Sequence, residues 1–473
     1  MKSTQKRADD RAPQSELTAD VRTDVTAGAR TGAYSWVSEV SRYQWLVLAV
    51  AWLGWVFDSM DGTLYSLVQK PSMTELMGPG AAEATISFYS SAVFSATLAG
   101  WALGGVIFGI IADYIGRTKA LVATILIYSL FTGLSAVAGT WWELAIFRFV
   151  TGLGLGGEWA AGAALVAEVW PDRLRAKAGA ILQSAAAFGY FFAAVISLFV
   201  GAHSWRYVYL VGALPAIFVL FIRMIVKEPE AWVEVRDRRK LARLETKGIE
   251  TKGAAADEIR AFTLKQLFGP RLRRDTIIAS ALAFVVLLAL WGATMWIPAA
   301  IREMARPPAG LDEEGVKGYL NAQASYAVML LNGGALFGYL WFGPLADRFG
   351  RRVAFLIYFI GGVILFPVTF LLTTNATQVF VLLPLVGFFT LGITSGFPIY
   401  LPELFPTHVR TTGVGFCYNF GRIITAGGVF LTGYLVGAFG GSYAKAASAV
   451  SLVYLLGIFF LIFARETRGR RLT

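Results

Sequence analysis

Two carboxylates, Asp58 and Asp61, lie inside an apolar run of membrane-spanning length, WLVLAVAWLGWVFDSMDGTLYSLV, at residues 45–68. Their spacing of three residues places both on one face of a helix. An ionised aspartate in hydrocarbon costs about 2.5 to 3.5 kcal/mol even on the most lenient insertion scale. We therefore expect both side chains to face a wet or protein-lined interior, where carboxylates can exchange protons.

Three further charges lie within apolar runs. Arg148 and Glu158 are separated by about 15 Å along one predicted helix, so each must find a partner on another helix. Arg422 lies about 17 Å along its helix, near the depth of Asp58 at about 20 Å. We predict that Arg422 binds a substrate carboxylate, because a guanidinium suits bidentate pairing. The structural alternatives are an ion pair of Arg422 with an N-terminal acid, and a bridge from Arg148 to Asp58 or Asp61.

The composition is that of a polytopic membrane protein. Of its 473 residues, 56% are hydrophobic and 15% are charged, which is too apolar for a soluble protein. The formal net charge of +11 follows the loops and forms no single basic face, so an anionic membrane surface is favoured over nucleic acid as its partner. Cys417 is the single cysteine. No cofactor or metal motif appears, and no nucleophile is paired with a base, so we expect no enzyme.

Twelve apolar runs of at least about 18 residues divide into two groups of six. We predict an all-α membrane protein with two six-helix bundles, 43–226 and 275–464, joined by a cytoplasmic linker, 227–274. Residues 1–42 are predicted to be a disordered cytoplasmic tail, and 465–473 a second tail. The runs cover residues 45–69, 86–112, 119–138, 141–169, 178–201, 206–226, 275–300, 321–346, 353–373, 377–401, 411–437 and 443–464.

The distribution of basic residues predicts the orientation of the chain. Most of its 42 lysines and arginines fall in the tails, the linker and the loops that lie on the same side of twelve spans. The positive-inside rule therefore places both termini in the cytoplasm. We expect a multi-pass protein of the plasma membrane, which in a bacterium is the inner membrane.

The strongest motif occurs twice, as GIIADYIGRTK at 109–119 and GPLADRFGRR at 343–352. A second pair, EVWPDRLR at 168–175 and ELFPTHVR at 403–410, has prolines that end predicted helices four and ten. Glycines permit close helix approach and tight turns, and the charges can form networks that close one end of the molecule. A solvated turn that only follows the positive-inside rule would explain the charges of one copy of the motif. It would not explain two copies at matching positions of the chain. The predicted gate residues are Gly109, Asp113, Arg117, Glu168, Arg175, Gly343, Asp347, Arg351, Glu403 and Arg410.

These motifs resemble those of the major facilitator superfamily, whose signature at this loop is G-x-x-x-D-x-x-G-[RK]-x-[RK]. The second pair, with KEPE at 227–230 and ETRG at 466–469, is similar to the sugar-porter branch. DSMDG at 58–62 and RFVTGLGLGGEW at 148–159 instead resemble proton-coupled symporters of sialate, monocarboxylates and aromatic acids. The resemblance covers residues 45–473 and implies parallel six-helix repeats around a midplane site, with a functional monomer.

The resemblance implies alternating access with proton-coupled uptake of a small organic anion. The proton-coupling residues are then expected to be Asp58, Asp61, Arg148 and Glu158, and which aspartate titrates stays open. The candidates for substrate binding are Arg422, Asn419, Tyr418, Tyr65, Gln183, Trp291, Trp296 and Asn332, although membrane aromatics more often serve packing.

Other functions known for similar motifs fit the sequence less well. A sugar or polyol porter is the main alternative, but Gln183 is the only glutamine in predicted helices five and seven, where sugar porters carry several. A drug antiporter is less favoured, because predicted helix five of this chain lacks the G-x-x-x-G-P-x-x-G-G run that is typical of such antiporters. A membrane sensor would need a long signalling domain, and the chain offers only the linker and a short tail.

Overall fold

The computed structural model describes residues 35–78, 80–200, 203–215, 217, 225–245, 262–294, 296–373, 375–440 and 442–472. The predicted tail at 1–42 falls mostly outside these ranges, as do parts of the linker and of the sixth span. Residues Tyr43–Thr473 form one compact unit. The division of that unit into bundles at 43–226 and 275–464, called the two halves below, stays a prediction.

Each of the first six predicted spans contains helix in its described part, with turn residues in some, as at 136–137 and 213–214. Helix α1 continues past its predicted end at residue 69, so Asp58 and Asp61 lie in its interior. Helix α4 begins at a capping box, in which Thr140 and Glu143 satisfy each other's backbone N–H groups. The helices are Arg42–Met77 (α1), Glu83–Ile115 (α2), Arg117–Ser135 (α3), Trp141–Val169 (α4), Arg175–Phe199 (α5) and Trp205–Gly212 (α6).

Within its described residues, the linker carries the helices Glu230–Glu245 (α7) and Thr263–Leu267 (α8). The last six spans follow, and three of them are divided into two helices each. Short 3-10 segments occupy Gly392–Ser395 and Thr407–Val409. The helices are Arg273–Thr294 (α9), Ile297–Met304 (α10), Glu313–Phe349 (α11), Arg351–Leu371 (α12), Ala376–Thr390 (α13), Gly396–Leu404 (α14), Arg410–Ala438 (α15), Tyr443–Ser451 (α16) and Val453–Phe463 (α17).

The predicted all-α membrane architecture is confirmed. Each of the twelve predicted spans contains helix within the described ranges, and no strand occurs there. Eight described segments are long and apolar enough to cross a membrane by length and composition, and two of them are formed by helix pairs, α13 with α14 and α16 with α17. The chain is therefore a multi-pass membrane protein.

Glycines bring neighbouring helices into backbone contact. A Cβ atom on Gly156 of α4 would lie 1.9 Å from the carbonyl oxygen of Trp101 on α2. In the C-terminal half, a Cβ on Gly334 of α11 would lie 1.8 Å from the Pro384 carbonyl oxygen on α13. The glycine run at 152–157 thus serves helix packing, and α2 can present Trp101 close to α4.

Gly116 and Gly350 form the tight junctions between α2 and α3 and between α11 and α12. Their φ angles are +117° and +98°, values that favour glycine. A Cβ atom at these positions would lie 2.3 Å from the Glu228 carboxylate and 2.7 Å from the Glu466 carboxylate. Both the backbone conformation and the available space therefore require glycine at each junction.

Glu228 and Glu466 cap the helices that begin at these junctions. Glu228 accepts hydrogen bonds from the backbone N–H groups of Thr118 and Lys119 at 3.2 and 3.1 Å. Glu466 accepts from Arg351 and Arg352 at 2.9 and 3.1 Å. Burial opposes ionisation of Glu466, but its four backbone hydrogen bonds hold its pKa below the ordinary value. The carboxylate is therefore charged at neutral pH.

Substituting Gly350 by alanine should lower the thermal unfolding midpoint of the purified protein. A left-handed non-glycine residue costs about 1 to 2 kcal/mol, and here Glu466 must also leave the α12 N-terminus. Gly310→Ala is a matched control, because Gly310 has a φ of +92° but no atom within 4 Å of an added Cβ. Equal losses in the two variants would contradict the capping role of Glu466.

Candidate functional site

Asp61 on α1 is paired with Arg148 on α4. Arg148 Nη2 lies 3.2 Å from Asp61 Oδ2, and the Thr132 hydroxyl donates to Asp61 Oδ1 at 2.7 Å. Both charged side chains are fully buried. The guanidinium carbon also lies 5.9 Å and 5.6 Å from the ring centroids of Tyr65 and Tyr209. Of the bridges considered for Arg148 from the sequence, the structure contains the one to Asp61.

Asp58, one helical turn earlier on α1, lacks such a partner. The side chain is buried, and neither carboxylate oxygen has a hydrogen-bond partner among the described residues. Glu158 of α4 reaches α1 at Gly54, where an added Cβ would lie 2.3 Å from Glu158 Oε1. Glu158 Oε2 has no hydrogen-bond partner in the described part of the chain.

Asp58 and Glu158 therefore approach the same stretch of α1. Gly54 precedes Asp58 by one helical turn, so the side of Gly54 that faces Glu158 and the Asp58 side chain lie on one side of the helix. Two carboxyl groups this close in a buried site disfavour joint ionisation, because each negative charge lacks solvation and opposes the other. The arrangement is chemically suited to hold and release a proton.

Arg422 on α15 lies within electrostatic range of Asp58. Its guanidinium carbon is 4.3 Å from the ring centroid of Trp101 and 5.2 Å from that of Tyr418. Its Nη1 donates to Asn419 Oδ1 at 3.0 Å. No acid in the described ranges forms an ion pair with it, so the structural pair considered from the sequence is not formed there. The other guanidinium N–H groups can serve a carboxylate.

Aromatic rings of both halves lie beside this guanidinium. Tyr418 stacks on Trp159 of α4 with ring centroids 4.2 Å apart and an interplanar angle of 22°. Trp159 in turn lies 6.2 Å from Trp55 on α1. Gln183 of α5 accepts a hydrogen bond from Trp159 at 3.5 Å and donates one to the Thr394 hydroxyl at 3.3 Å. The site thus combines one cation with flat aromatic surfaces and a few polar groups.

Four predicted substrate-binding residues belong to this connected group, and four do not. Arg422, Asn419, Tyr418 and Gln183 are linked directly or through Trp159. The other four have different surroundings. Tyr65 lies beside Arg148 and donates a hydrogen bond to the Ser90 carbonyl, and Trp296 packs against Tyr443. Asn332 donates to the Val328 carbonyl of its own helix, and Trp291 is 38% exposed.

Trp101 and Trp159 contribute ring surface that sequence reasoning did not assign to the site. Trp159 directly follows Glu158, so its position beside a functional candidate was a usable signal. Trp101 offered no comparable signal, because α2 is apolar around its whole circumference and its sequence does not indicate which face meets α15.

Buried ion pairs close the molecule at the end where α2 meets α3 and α11 meets α12, here called the linker face. Arg117 donates to Glu168 through Nε and Nη2 at 3.1 and 2.9 Å, and Arg410 donates to the same carboxylate at 2.7 Å. Asp113 accepts from the Thr412 N–H at 2.8 Å and from its hydroxyl at 2.6 Å. These bonds join the two halves across α2, α4 and α15.

The second copy of the motif forms a related network. Arg351 donates to Glu403 through Nε and Nη2 at 3.0 and 2.7 Å, and lies 3.4 Å from Asp347. Arg175 of the N-terminal half lies 3.6 Å from the same Glu403 carboxylate. Gly109 and Gly343 provide close contacts, with added Cβ atoms 2.8 and 2.6 Å from the carbonyl oxygens of Thr411 and Ala176. All the predicted gate residues therefore lie at the linker face.

Comparisons with known proteins agree with this architecture. The profile of the "Sugar (and other) transporter" family matches residues 46–473. The "Probable 4-methylmuconolactone transporter" of Cupriavidus pinatubonensis is 30% identical over 442 residues, covering 92% of this chain and 94% of that protein. The "Sialic acid transporter NanX" of Escherichia coli is 29% identical over 411 residues, with coverages of 86% and 91%. A solved structure of the proton:xylose symporter XylE shares the fold, with a TM-score of 0.70, 18% identity and coverages of 91% and 98%.

Proposed function

The chain belongs to the sugar (and other) transporter family of the major facilitator superfamily, and we propose that it takes up a small organic anion together with protons. It is a membrane transporter of small molecules and not an enzyme. The two relatives are named for sialic acid and 4-methylmuconolactone, and both compounds carry a carboxyl group. Their names support an organic anion as the class of substrate.

The unpaired guanidinium of Arg422 is the observation that carries this proposal. Arg422 is half-buried within a predicted membrane span, where a permanent charge needs a counter-ion, and no described acid forms an ion pair with it. In this proposal the substrate carboxylate is the counter-ion of Arg422. The rings of Trp101, Trp159 and Tyr418 pack against the remaining part of the substrate. A planar, unsaturated or aromatic acid therefore fits the site better than a sugar, which needs many hydrogen-bond partners.

Asp58 and Glu158 supply the proton in this proposal. Both have carboxylate oxygens without hydrogen-bond partners in the described chain, and both lie on the α1 side of the site. Asp61 and Arg148 already neutralise each other, so they hold α1 against α4 and need no added proton for charge balance. Of the four predicted coupling residues, Asp58 and Glu158 thus carry the titrating role.

Alternating access follows from the linker-face network. The two ion pairs that join the halves, Arg410 with Glu168 and Arg175 with Glu403, must break for the site to open at this face, and they form again when it closes. We place the linker face and both termini on the cytoplasmic side of the inner membrane, in line with the positive-inside rule. The functional unit in this proposal is a monomer.

Uptake into liposomes reconstituted with the purified protein tests the proposed function. An inward proton gradient should drive accumulation of labelled benzoate-like, muconate-like or sialate-like acids, and unlabelled acids should compete. Neutral sugars of similar size should neither accumulate nor compete. Acid accumulation that does not depend on the proton gradient, or competition by sugars but not by acids, would contradict the proposal.

A further inference from the structure

A pocket of about 390 Å³ opens at the linker face between the end of α2, the start of α3 and the linker helix α7. Among the described residues, no acidic side chain lines this pocket. It lies outside the Arg422 site and the gate ion pairs. Its lining is basic and aromatic, with Lys119, Arg236, Arg239, Lys240, Tyr114 and Trp232.

The floor of the pocket is held in place by backbone contacts. Arg239 Nη1 donates to the Asp113 carbonyl oxygen at 2.6 Å, and Nη2 donates to the His408 carbonyl oxygen at 2.8 Å. The Arg239 guanidinium carbon lies 4.7 Å from the Tyr114 ring centroid. Trp232 Nε1 donates to the same Asp113 carbonyl at 3.2 Å. The linker helix is thus fixed to both halves, and the pocket is a built feature.

Two ammonium groups on the rim of the pocket form no ion pair with a described acid, although Asp237 lies within electrostatic range of Lys240. Lys119 and Lys240 are exposed, and neither forms an ion pair with a described acid. Arg236 does have a carboxylate partner, the exposed Asp237, at 2.9 Å. Glu228 is also close, but its carboxylate accepts from backbone N–H groups at the start of α3. The two ammonium groups therefore remain available to an anion from outside the chain.

The position of the pocket identifies the source of that anion. Tyr114 and Ile115 end a membrane-spanning helix and remain 37% and 41% exposed. A tyrosine and lysines at the end of a span lie at the level of the lipid headgroups. A phospholipid can place its phosphate between the two ammonium groups while its acyl chain follows Ile115 into the bilayer. A soluble anion would leave the apolar side of the pocket uncovered.

We propose that this pocket binds the headgroup of one anionic phospholipid, with Lys119 and Lys240 contacting its phosphate. Helix α7 is hydrogen-bonded to both halves. The bound lipid would therefore give α7 a contact with the membrane as well. This inference is independent of the transported substrate, since none of its residues belongs to the Arg422 site.

Lipid retention and thermal unfolding of the purified full chain test this proposal. The test variant is Lys119→Gln/Lys240→Gln. The matched control is Arg306→Gln/Lys445→Gln, which removes the same charge from two other exposed positions. Each protein is mixed with micelles of detergent and phosphatidylcholine that contain or lack phosphatidylglycerol, or with inorganic phosphate. Native mass spectrometry counts the retained lipid, and the unfolding midpoint is measured in parallel.

Phosphatidylglycerol should be retained by the natural protein and the control and should raise their midpoints. Retention should fall about fivefold for each pocket lysine removed, and the midpoint shift should disappear in the test variant. Equal retention by the test variant would overturn the proposal. An equal shift with phosphatidylcholine would show that the negative charge is not recognised, and an equal shift with inorganic phosphate would show an anion site without lipid specificity.

Discussion

Substituting Arg422 by alanine should abolish binding and transport of the organic acid while leaving the protein folded. Truncating one partner of a desolvated, hydrogen-bonded charge pair costs about 2 to 5 kcal/mol, which corresponds to a loss of affinity of roughly 30-fold to several thousand-fold. The protein should stay folded, because no described acid loses its ion-pair partner when Arg422 is removed. Calorimetric titration of purified protein with a competing acid measures the loss.

Two further variants separate the charge of Arg422 from its shape. Arg422→Lys keeps the charge but cannot form a bidentate pair, so we expect intermediate affinity. Asn419→Ala removes the side chain that accepts from Arg422 Nη1, and it should weaken binding less than the loss of the guanidinium. Unchanged affinity in Arg422→Ala, with an unchanged unfolding midpoint, would rule out Arg422 as the carboxylate site.

Neutralising Asp58 or Glu158 should separate transport from proton coupling. In Asp58→Asn and Glu158→Gln, the carboxyl that exchanges a proton becomes a permanently neutral amide of similar shape. Accumulation driven by a proton gradient should therefore be lost, while exchange of labelled for unlabelled acid at equal concentrations should continue. The pH dependence of substrate affinity should also flatten in both variants, which a purely structural role would not produce.

The matched comparison is Asp61→Asn, three residues away on the same helix. It leaves Arg148 buried without a charged partner, a change that costs about 3 to 5 kcal/mol. We expect a lower unfolding midpoint and the loss of both accumulation and exchange. Asp61→Asn/Arg148→Gln removes both charges and should recover part of the stability. If Asp61→Asn kept exchange and lost only accumulation, the roles given to the two aspartates would have to be reversed.

Much of the fold could be predicted from sequence, because membrane spans and duplicated loops leave strong local signals. Apolar length located the twelve spans, and the pairs around Asp113 and Asp347 showed the repeat. The sequence did not indicate every division of a span: Pro298 marks the start of α10, but no proline marks the break between Ser451 and Val453.

The site was less predictable, because it depends on which helix faces meet. The sequence drew attention to Asp58 and Asp61 together, but only the structure distinguishes the one paired with Arg148 from the one without a partner. Trp291 and Asn332 had suitable side chains at a suitable depth, yet neither joins the group around Arg422. In uniformly apolar helices, periodicity does not indicate which side faces the substrate path.

The two copies of the duplicated loop are not equally engaged. Asp113 receives hydrogen bonds from two backbone N–H groups and one hydroxyl at the start of α15. Asp347 pairs with Arg351, but its Oδ2 has no hydrogen-bond partner among the described residues. The two copies of the loop therefore share a sequence pattern, but the aspartates in them differ in their hydrogen bonds. Asp113 is hydrogen-bonded to the other half, whereas Arg351, the ion-pair partner of Asp347, belongs to the same half as Asp347. Separating the halves at the linker face therefore breaks the hydrogen bonds of Asp113 but leaves the ion pair of Asp347 intact.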